Sequence, residues 1–304
     1  MVEALSLAGM TETPVVIAEV QRPGPSTGLP TRTEQGDLSF VVNAAHGEFP
    51  RLVLTPGTIE EAFAAGVESF NLAEKYQSPV IMLSDQHLAD SVRTVDPERL
   101  DMENAEIDRG KLLTANELDD LSEPYRRYEF TSSGISPRAF PGHENAVYSI
   151  TGNEHDQTGK ITEDPEIRNK MVEKRMQKLE GAKSEVNEPT FSGPSEADLN
   201  LLGWGSTYGA LQEAMEELND RGIKCNLCHL SQCWPLPEEE LSKWLQSSGT
   251  TVVVEGNKGN QLGKLLSQEI GFSPDEKVLK YDGRPFTPEY ILENINTDIP
   301  KGGS

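Results

Sequence analysis

No stretch of about 18 apolar residues occurs in this chain, so no membrane-spanning helix is expected. The start, MVEALSLAGMTETPVVIAEV, has neither a basic n-region nor a small-residue cleavage site, and it does not read as a signal peptide. Positive charge is scarce: 27 Lys and Arg stand against 50 Asp and Glu, a formal net charge of −23. That balance argues against nucleic-acid binding, which needs a basic surface. An acidic surface favours solubility, and an anionic substrate would have to be met by locally placed cations. Cysteine is nearly absent. The three are Cys225, Cys228 and Cys233, an odd count that fits a reducing cytoplasm in a chain without secretion signals. Hydrophobic residues make up 36% of the sequence, and the mean hydropathy is −0.51. Part of the chain should therefore be solvated linker.

What remains is enough for two domains in 304 residues. Residues 1–90 are apolar and punctuated by Gly and Pro. Residues 91–195 are charged, with few apolar runs, and read as a long linker wrapping the surface. Residues 196–295 become apolar and periodic again, and 296–304 read as a flexible tail. In the first region Pro14–Val20 and Pro79–Leu83 read as buried strands, and Arg51–Leu54 as a short one. Leu38–Val42 opens a helix or continues a loop. Thr58–Tyr76 has helical apolar spacing, with Thr58 and Glu61 placed as a capping box. In the third region Leu199–Trp204, Ile223–His229 and Thr250–Glu255 read as strands. Helices over Ser206–Arg221, Pro237–Gln246 and about 261–270 alternate with them, the first ending at Gly222. Continuous apolar strands alternating with helices predict parallel α/β sheets. A further helix at about 165–182 is dense in Lys, Arg, Glu and Met, and it reads as a solvated helix with i,i+4 pairs.

The stretch Gln21–Asp37, QRPGPSTGLPTRTEQGD, follows a predicted strand directly. Ligands of open α/β sheets sit at the carboxyl ends of strands. Arg22 and Arg32 supply forked donors of the kind a carboxylate or phosphate requires, and Ser26, Thr27, Thr31 and Thr33 add neutral donors. From the residues alone this is either an anion-binding loop or a rigid packing loop whose arginines pair with acidic neighbours.

The segment AGMTETPVVIAEVQRPGPSTGLPTRTEQGDL resembles the signature of the alpha subunits of 2-oxoacid:ferredoxin oxidoreductases, the 2-oxoglutarate type above all. The resemblance continues through AAHGEFPRLVLTPGTIEEAF, SPVIMLSDQHLAD, SPRAFPG, GNEHDQTGKITEDPEIRNKMVEKR, LLGWGSTYGA, HLSQCWPLP and VVVEGNKGNQLGKLL, and so spans nearly the whole chain. It implies oxidative decarboxylation of a 2-oxoacid to an acyl-CoA, with thiamine diphosphate and coenzyme A, electrons passing through an iron–sulfur cluster to ferredoxin. It implies that residues 1–90 are the C-terminal part of a pyrimidine-type thiamine-binding domain and 196–295 a transketolase-C-terminal-like domain. Thiamine diphosphate with Mg²⁺ would be shared with a beta subunit, which would also carry the 4Fe–4S cluster. Arg22 would pair with the substrate carboxylate, Arg32 would be a second candidate, and Thr27 and Thr31 would shape the pocket. His46, in HGEFPR, would lie near the active-site face or serve as a structural histidine at a turn.

In this family a YPITP-type motif and the glutamate that protonates the thiamine ring precede the segments matched here. Neither occurs in this chain. The resemblance therefore implies that the glutamate lies upstream of Met1 and that Met1 is an internal methionine. The reading is of an N-terminally truncated subunit with no catalytic residue of its own. The alternative is a non-catalytic assembly module that buttresses a beta subunit.

Three other features have plainer accounts. Cys225-x-x-Cys228-His229 formally matches a haem-attachment motif, but strand alternation sends the two thiols to opposite faces. Gly203–Ser206 and Gly256–Asn260 each follow a strand and precede a helix without spelling a nucleotide-binding loop. His155 and Asp156 are read as surface hydrogen-bonding residues.

Overall fold

The computed structural model describes residues 2–100, 105–246 and 249–296. Met1, expected to be an internal methionine, lies outside the described residues, whose first helix begins at Val2. The tail expected at 296–304 lies, from 297 on, outside them too. The first part runs α1 (Val2–Thr11), β1 (Val15–Gln21), α2 (Leu38–Val42), β2 (Leu52–Leu54), α3 (Ile59–Tyr76), β3 (Pro79–Asp85) and the short α4 (Gln86–Ala89). The charged middle holds α5 (Ala115–Asp119) and α6 (Pro165–Lys183). Then come β4 (Thr190–Ser192), β5 (Leu199–Trp204), α7 (Tyr208–Asp220), β6 (Cys225–Leu230), β7 (Gln232–Trp234), α8 (Glu238–Leu245), β8 (Thr250–Glu255), α9 (Gln261–Glu269), β9 (Glu276–Leu279) and α10 (Pro288–Asn294).

Two sheets result, in the order β1-β3-β2-β7 and β4-β6-β5-β8-β9. Both are parallel except at one edge, where β7 and β4 run antiparallel. The mixed α/β architecture is thus as the alternation predicts. The central strands β5, β6 and β8 are buried almost end to end, the mark of a sheet covered on both faces.

Local chemistry explains the helix boundaries. Thr58 caps α3 by accepting from Glu61 N. The Glu61 carboxylate reaches Gly57 N rather than the cap residue, so the box closes one residue early. Gly222, at φ +83°, ends α7 in the left-handed conformation that costs glycine least.

The two sheets share one apolar cluster. Val53, Ile81 and Leu83 of the first, with Leu38 on α2, pack with Leu202, Trp204, Cys228 and Val253 of the second and Leu262 on α9. β7 reinforces this by leaving the second half of the sequence to pair with β2. No periodicity in three residues announces such a strand.

Cys225 and Cys228 sit in different clusters, as alternation requires. All three thiols are buried, which raises their pKa values, Cys225 and Cys233 to about 12.

Two expectations are corrected. The helix at 165–183 is not a solvated face: Lys174, Arg175 and Lys178 are buried along with Met171. Lys174 and Lys178 close on Glu12, and Arg175 on Glu154. Long charged side chains can cover core when each head meets a counter-charge. His155 is not a surface residue either. It is fully buried, its ring centroid 4.0 Å from that of Tyr128 and its Nδ1 3.0 Å from Asn153 O. Among the described residues no helix is long and apolar enough to cross a membrane.

Candidate functional site

The site is assembled where the carboxyl ends of both sheets meet. β1 ends at Gln21, β3 at Asp85, β5 at Trp204 and β8 at Glu255. The loop 22–37 leaves β1 and reaches the ends of the other three.

Its base is closed by Gln21, whose amide donates to Ser84 O (3.1 Å) and accepts from Asp37 N (2.9 Å). Its returning limb is anchored at Thr33, Gln35 and Gly36. Thr33 Oγ1 donates to Asp85 Oδ1 (3.0 Å), and the same oxygen caps α4 at His87 N and Leu88 N. Gln35 is buried and bonded to the ends of β5 and β8. Gly36 O accepts from Gln261 Nε2 (2.6 Å) on α9. The tip folds on itself through Leu29 N to Pro23 O (3.0 Å) and Arg32 N to Leu29 O (3.1 Å). Ser26 and Gly28 have φ values of +57° and +53°.

On this frame Arg22, Thr27, Thr31 and Arg32 are all exposed. Among the described residues neither arginine is in an ion pair within 4.0 Å. Arg22 does attract the Glu19 carboxylate, whose pKa is raised by burial first and by Asp37, and lowered by Arg22. Glu34 and Asp37 are also pushed up, chiefly by burial.

Thr31 and Arg32 line a cavity of about 260 Å³ with Gln86, His87, Asp90, Ser91 and the turn at Gly283 and Pro285. His46 is placed elsewhere. Its backbone pairs with Ser6 on α1 (N–H to Oγ 3.1 Å), in the segment feeding the start of β2. The structure therefore brings Thr31 and Arg32 together and leaves His46 apart.

His87 carries no signal of its own in the sequence. It borders this cavity and also a larger one of about 440 Å³. The larger one lies between the starts of α3 and α7, with Thr58, Arg93, Ser206, Tyr208 and Glu213 among its walls. Behind those walls His229 is fully buried, with Nε2 3.1 Å from Gly205 O, Nδ1 3.9 Å from Glu61 and its ring on Tyr208. Burial lowers its pKa and favours a neutral ring that donates Nε2–H to Gly205 O. Gly57 lies so close that an added Cβ would stand 2.5 Å from Gly205 O and 2.6 Å from His229 Nε2.

A thiamine diphosphate cofactor would need a divalent-ion site for its diphosphate. Among the described residues no group of three His, Cys, Asp or Glu could hold a metal ion.

Comparison with known proteins completes the site's description. Residues 1–174 match a family model described as pyruvate flavodoxin/ferredoxin oxidoreductase, thiamine diphosphate-binding. Residues 197–291 match core domain II of pyruvate:ferredoxin oxidoreductase. The chain is 42% identical over 99% of its length to the 2-oxoacid:ferredoxin oxidoreductase subunit alpha of Saccharolobus solfataricus, covering 47% of that protein. It is 35% identical over 87% of its length to the 2-oxoglutarate oxidoreductase subunit KorA of Mycobacterium tuberculosis, covering 39% of it. A solved structure of the 2-oxoglutarate:ferredoxin oxidoreductase from Magnetococcus marinus, with 2-oxoglutarate, coenzyme A and succinyl-CoA bound, superposes with a TM-score of 0.85. That match has 35% identity and covers 95% of this chain and 49% of the other. The chain thus spans about half or less of the length of these three relatives.

Proposed function

We infer the function from one premise: this chain belongs to the alpha subunits of the 2-oxoacid:ferredoxin oxidoreductases. We propose that it contributes the substrate-orienting loop to an enzyme that oxidises and decarboxylates a 2-oxoacid, 2-oxoglutarate being the leading candidate. The overall change consumes the oxoacid, coenzyme A and two oxidised ferredoxins, and it yields acyl-CoA, carbon dioxide, a proton and two reduced ferredoxins. A beta subunit would complete the thiamine diphosphate and Mg²⁺ site and carry the 4Fe–4S cluster, in the cytoplasm. The cofactor supplies carbanion stabilisation, and the protein supplies orientation and charge.

The observation that carries this reading is the exposed pair Arg22 and Arg32, held on an anchored loop at the carboxyl edge of β1. In a chain of net charge −23 a dicarboxylate needs such local cations. We assign Arg22 to the substrate carboxylate, with Arg32, Thr27 and Thr31 shaping the remaining pocket and His46 as a more distant candidate. Placing the oxoacid before the reacting centre uses binding energy for orientation. Support for 2-oxoglutarate over other oxoacids comes from the Magnetococcus relative and its bound ligands.

Replacing Arg22 with alanine in the complete alpha–beta complex should raise the oxoacid KM. Loss of charge-assisted hydrogen bonds worth about 1.5–3 kcal/mol corresponds to roughly 10–100-fold. The KM for coenzyme A should stay constant. Steady-state kinetics with both substrates varied tests this, and an unaltered oxoacid KM refutes the assignment.

The alternative is a non-catalytic assembly module that supports a catalytic beta subunit. Measuring thiamine diphosphate binding with and without the beta subunit separates the two. Binding unaffected by substitutions in this chain would favour the module.

A further inference from the structure

We propose that Gln35 is a positioning residue for the oxoacid, setting the geometry of Thr31 and Arg32 through a slot built by the second sheet. This rests on the reading of the loop given above.

Gln35 has 2% of its surface exposed. Both its backbone groups and both ends of its amide are bonded. Its Nε2 donates to Trp204 O (2.7 Å), and its Oε1 accepts from Gly256 N (2.8 Å). Its backbone N–H donates to Gly256 O (2.7 Å), and its carbonyl accepts from Asn257 Nδ2 (3.0 Å). Trp204 and Gly256 lie at the ends of the adjacent parallel strands β5 and β8. The side-chain amide therefore bridges the two strand ends as a peptide group would, where the ladder itself has stopped.

The slot is shaped for that amide. Gly205 stands at φ +58°, and an added Cβ there would lie 2.9 Å from Gln35 Nε2. One at Gly256 would lie 3.4 Å from the Gln35 side chain. On the far wall Asn257 shares its amide between Gln35 O and Glu255 Oε2 (2.6 Å). The buried Glu255 is in turn held by Leu262 N at the start of α9.

The consequence reaches the exposed tip because the tether is short. Arg32 is three residues from Gln35, a span of about 10 Å at most when extended. Thr33 is itself pinned to Asp85, which shortens the free path further. A guanidinium placed this way inherits the position of β5 and β8, strands far along the chain. A shift of about 1 Å in a positioning group can cost up to the order of a hundredfold in kcat/KM.

The test is made in the complete alpha–beta complex. Gln35→Ala should raise the oxoacid KM about tenfold, leave kcat within about twofold and leave the coenzyme A KM unchanged. Gln35→Glu supplies a signature that simple loss of packing would not. Ionised, the new carboxylate faces Trp204 O with no proton to donate. Protonated, it can donate there and still accept from Gly256 N. Buried where Gln35 stands, it should hold its proton above the usual carboxylate range. Its oxoacid KM, relative to the unsubstituted enzyme at each pH, should therefore fall towards unity as the pH is lowered.

If either variant loses kcat at an unchanged oxoacid KM, Gln35 only joins the sheets and the inference is overturned. Kinetics indistinguishable from the unsubstituted enzyme overturn it too. Should Gln35→Ala fail to assemble, Asn257→Ala, which removes the bond to the Gln35 carbonyl, is judged by the same criteria. Arg22→Ala and Arg32→Ala are run alongside. If they leave the oxoacid KM unchanged, the reading of the loop has failed. If they raise it and the Gln35 variants do not, only the present inference has.

Discussion

Replacing Glu12 with alanine should destabilise the fold by about 3–5 kcal/mol, the range for removing one partner of a buried ion pair. Glu12 has 1% of its surface exposed, in the turn between α1 and β1. Its carboxylate accepts from Lys174 Nζ at 2.6 and 2.7 Å and pairs also with Lys178. The two lysines lie one helical turn apart on α6, both buried. Arg127 Nη2 donates to the Glu12 carbonyl (2.6 Å). One carboxylate thus compensates a cluster richer in cations than in anions; burial already lowers the pKa values of both lysines, Lys178 to about 7, and loss of Glu12 leaves them buried with no carboxylate to hold their protons. Glu12→Gln should lose a comparable amount despite its similar shape, because charge rather than volume is removed. Urea unfolding of each variant measures this. A loss below about 1 kcal/mol would place the pair among solvent-exposed ones, which contribute that little.

The same cluster predicts acid lability. Burial alone would raise the Glu12 carboxyl, but Lys178 and Lys174 outweigh it and hold the group well below its ordinary value. Burial is likewise outweighed at Glu154 by Arg175 and Arg168, which bring its carboxyl down to about 2 from 4.5. A carboxyl with a depressed folded pKa stabilises the fold above its unfolded value. That stabilisation is lost as pH falls through the folded value. Stability should therefore decline between about pH 4.5 and 2, and Glu12→Gln should flatten part of that decline. An identical slope in the variant would contradict the assignment.

Gly28→Ala should instead act mainly on activity, with kcat/KM for the oxoacid falling on the order of a hundredfold. Gly28 has φ +53°, and a Cβ added there would stand 1.6 Å from Pro23 O and 2.6 Å from Pro23 C. That carbonyl accepts from Leu29 N, and Pro23 is buried, so the loop tip must change path. Residues 24–32 are exposed, which limits the effect on the melting temperature. Gly47→Ala is the matched control: its φ is +79°, and nothing lies within 4 Å of the added Cβ. Left-handed strain alone costs about 1–2 kcal/mol and should leave the kinetics unchanged. Equal activity in both variants would show that the tip adapts freely and that its shape does not matter.

Helices and strands with strong periodicity were legible in the residues themselves. α3, β5 and β8 fall within a residue of their expected limits, because apolar spacing and caps act over a few residues. The loop 21–37 was also legible as a candidate site from its glycines, prolines and forked donors. Weak elements were not. β7, β9 and α10 had no signal of their own, since short strands and helices depend on what they pack against. α6 misled for the opposite reason: its charges read as solvated, and only distant carboxylates turn them into core.

By itself the sequence determined the α/β class, the family and the loop that presents Arg22 and Arg32, because these depend on local pattern and on long matching motifs. The tertiary structure decided which side chains share space. It set His46 apart from the loop tip, brought His87 beside Arg32, and seated Gln35 between Trp204 and Gly256. Those pairings join residues as many as 221 positions apart. Hydrogen bonds and ion pairs act over a few ångströms, so they exist only once the two sheets have closed on their shared core.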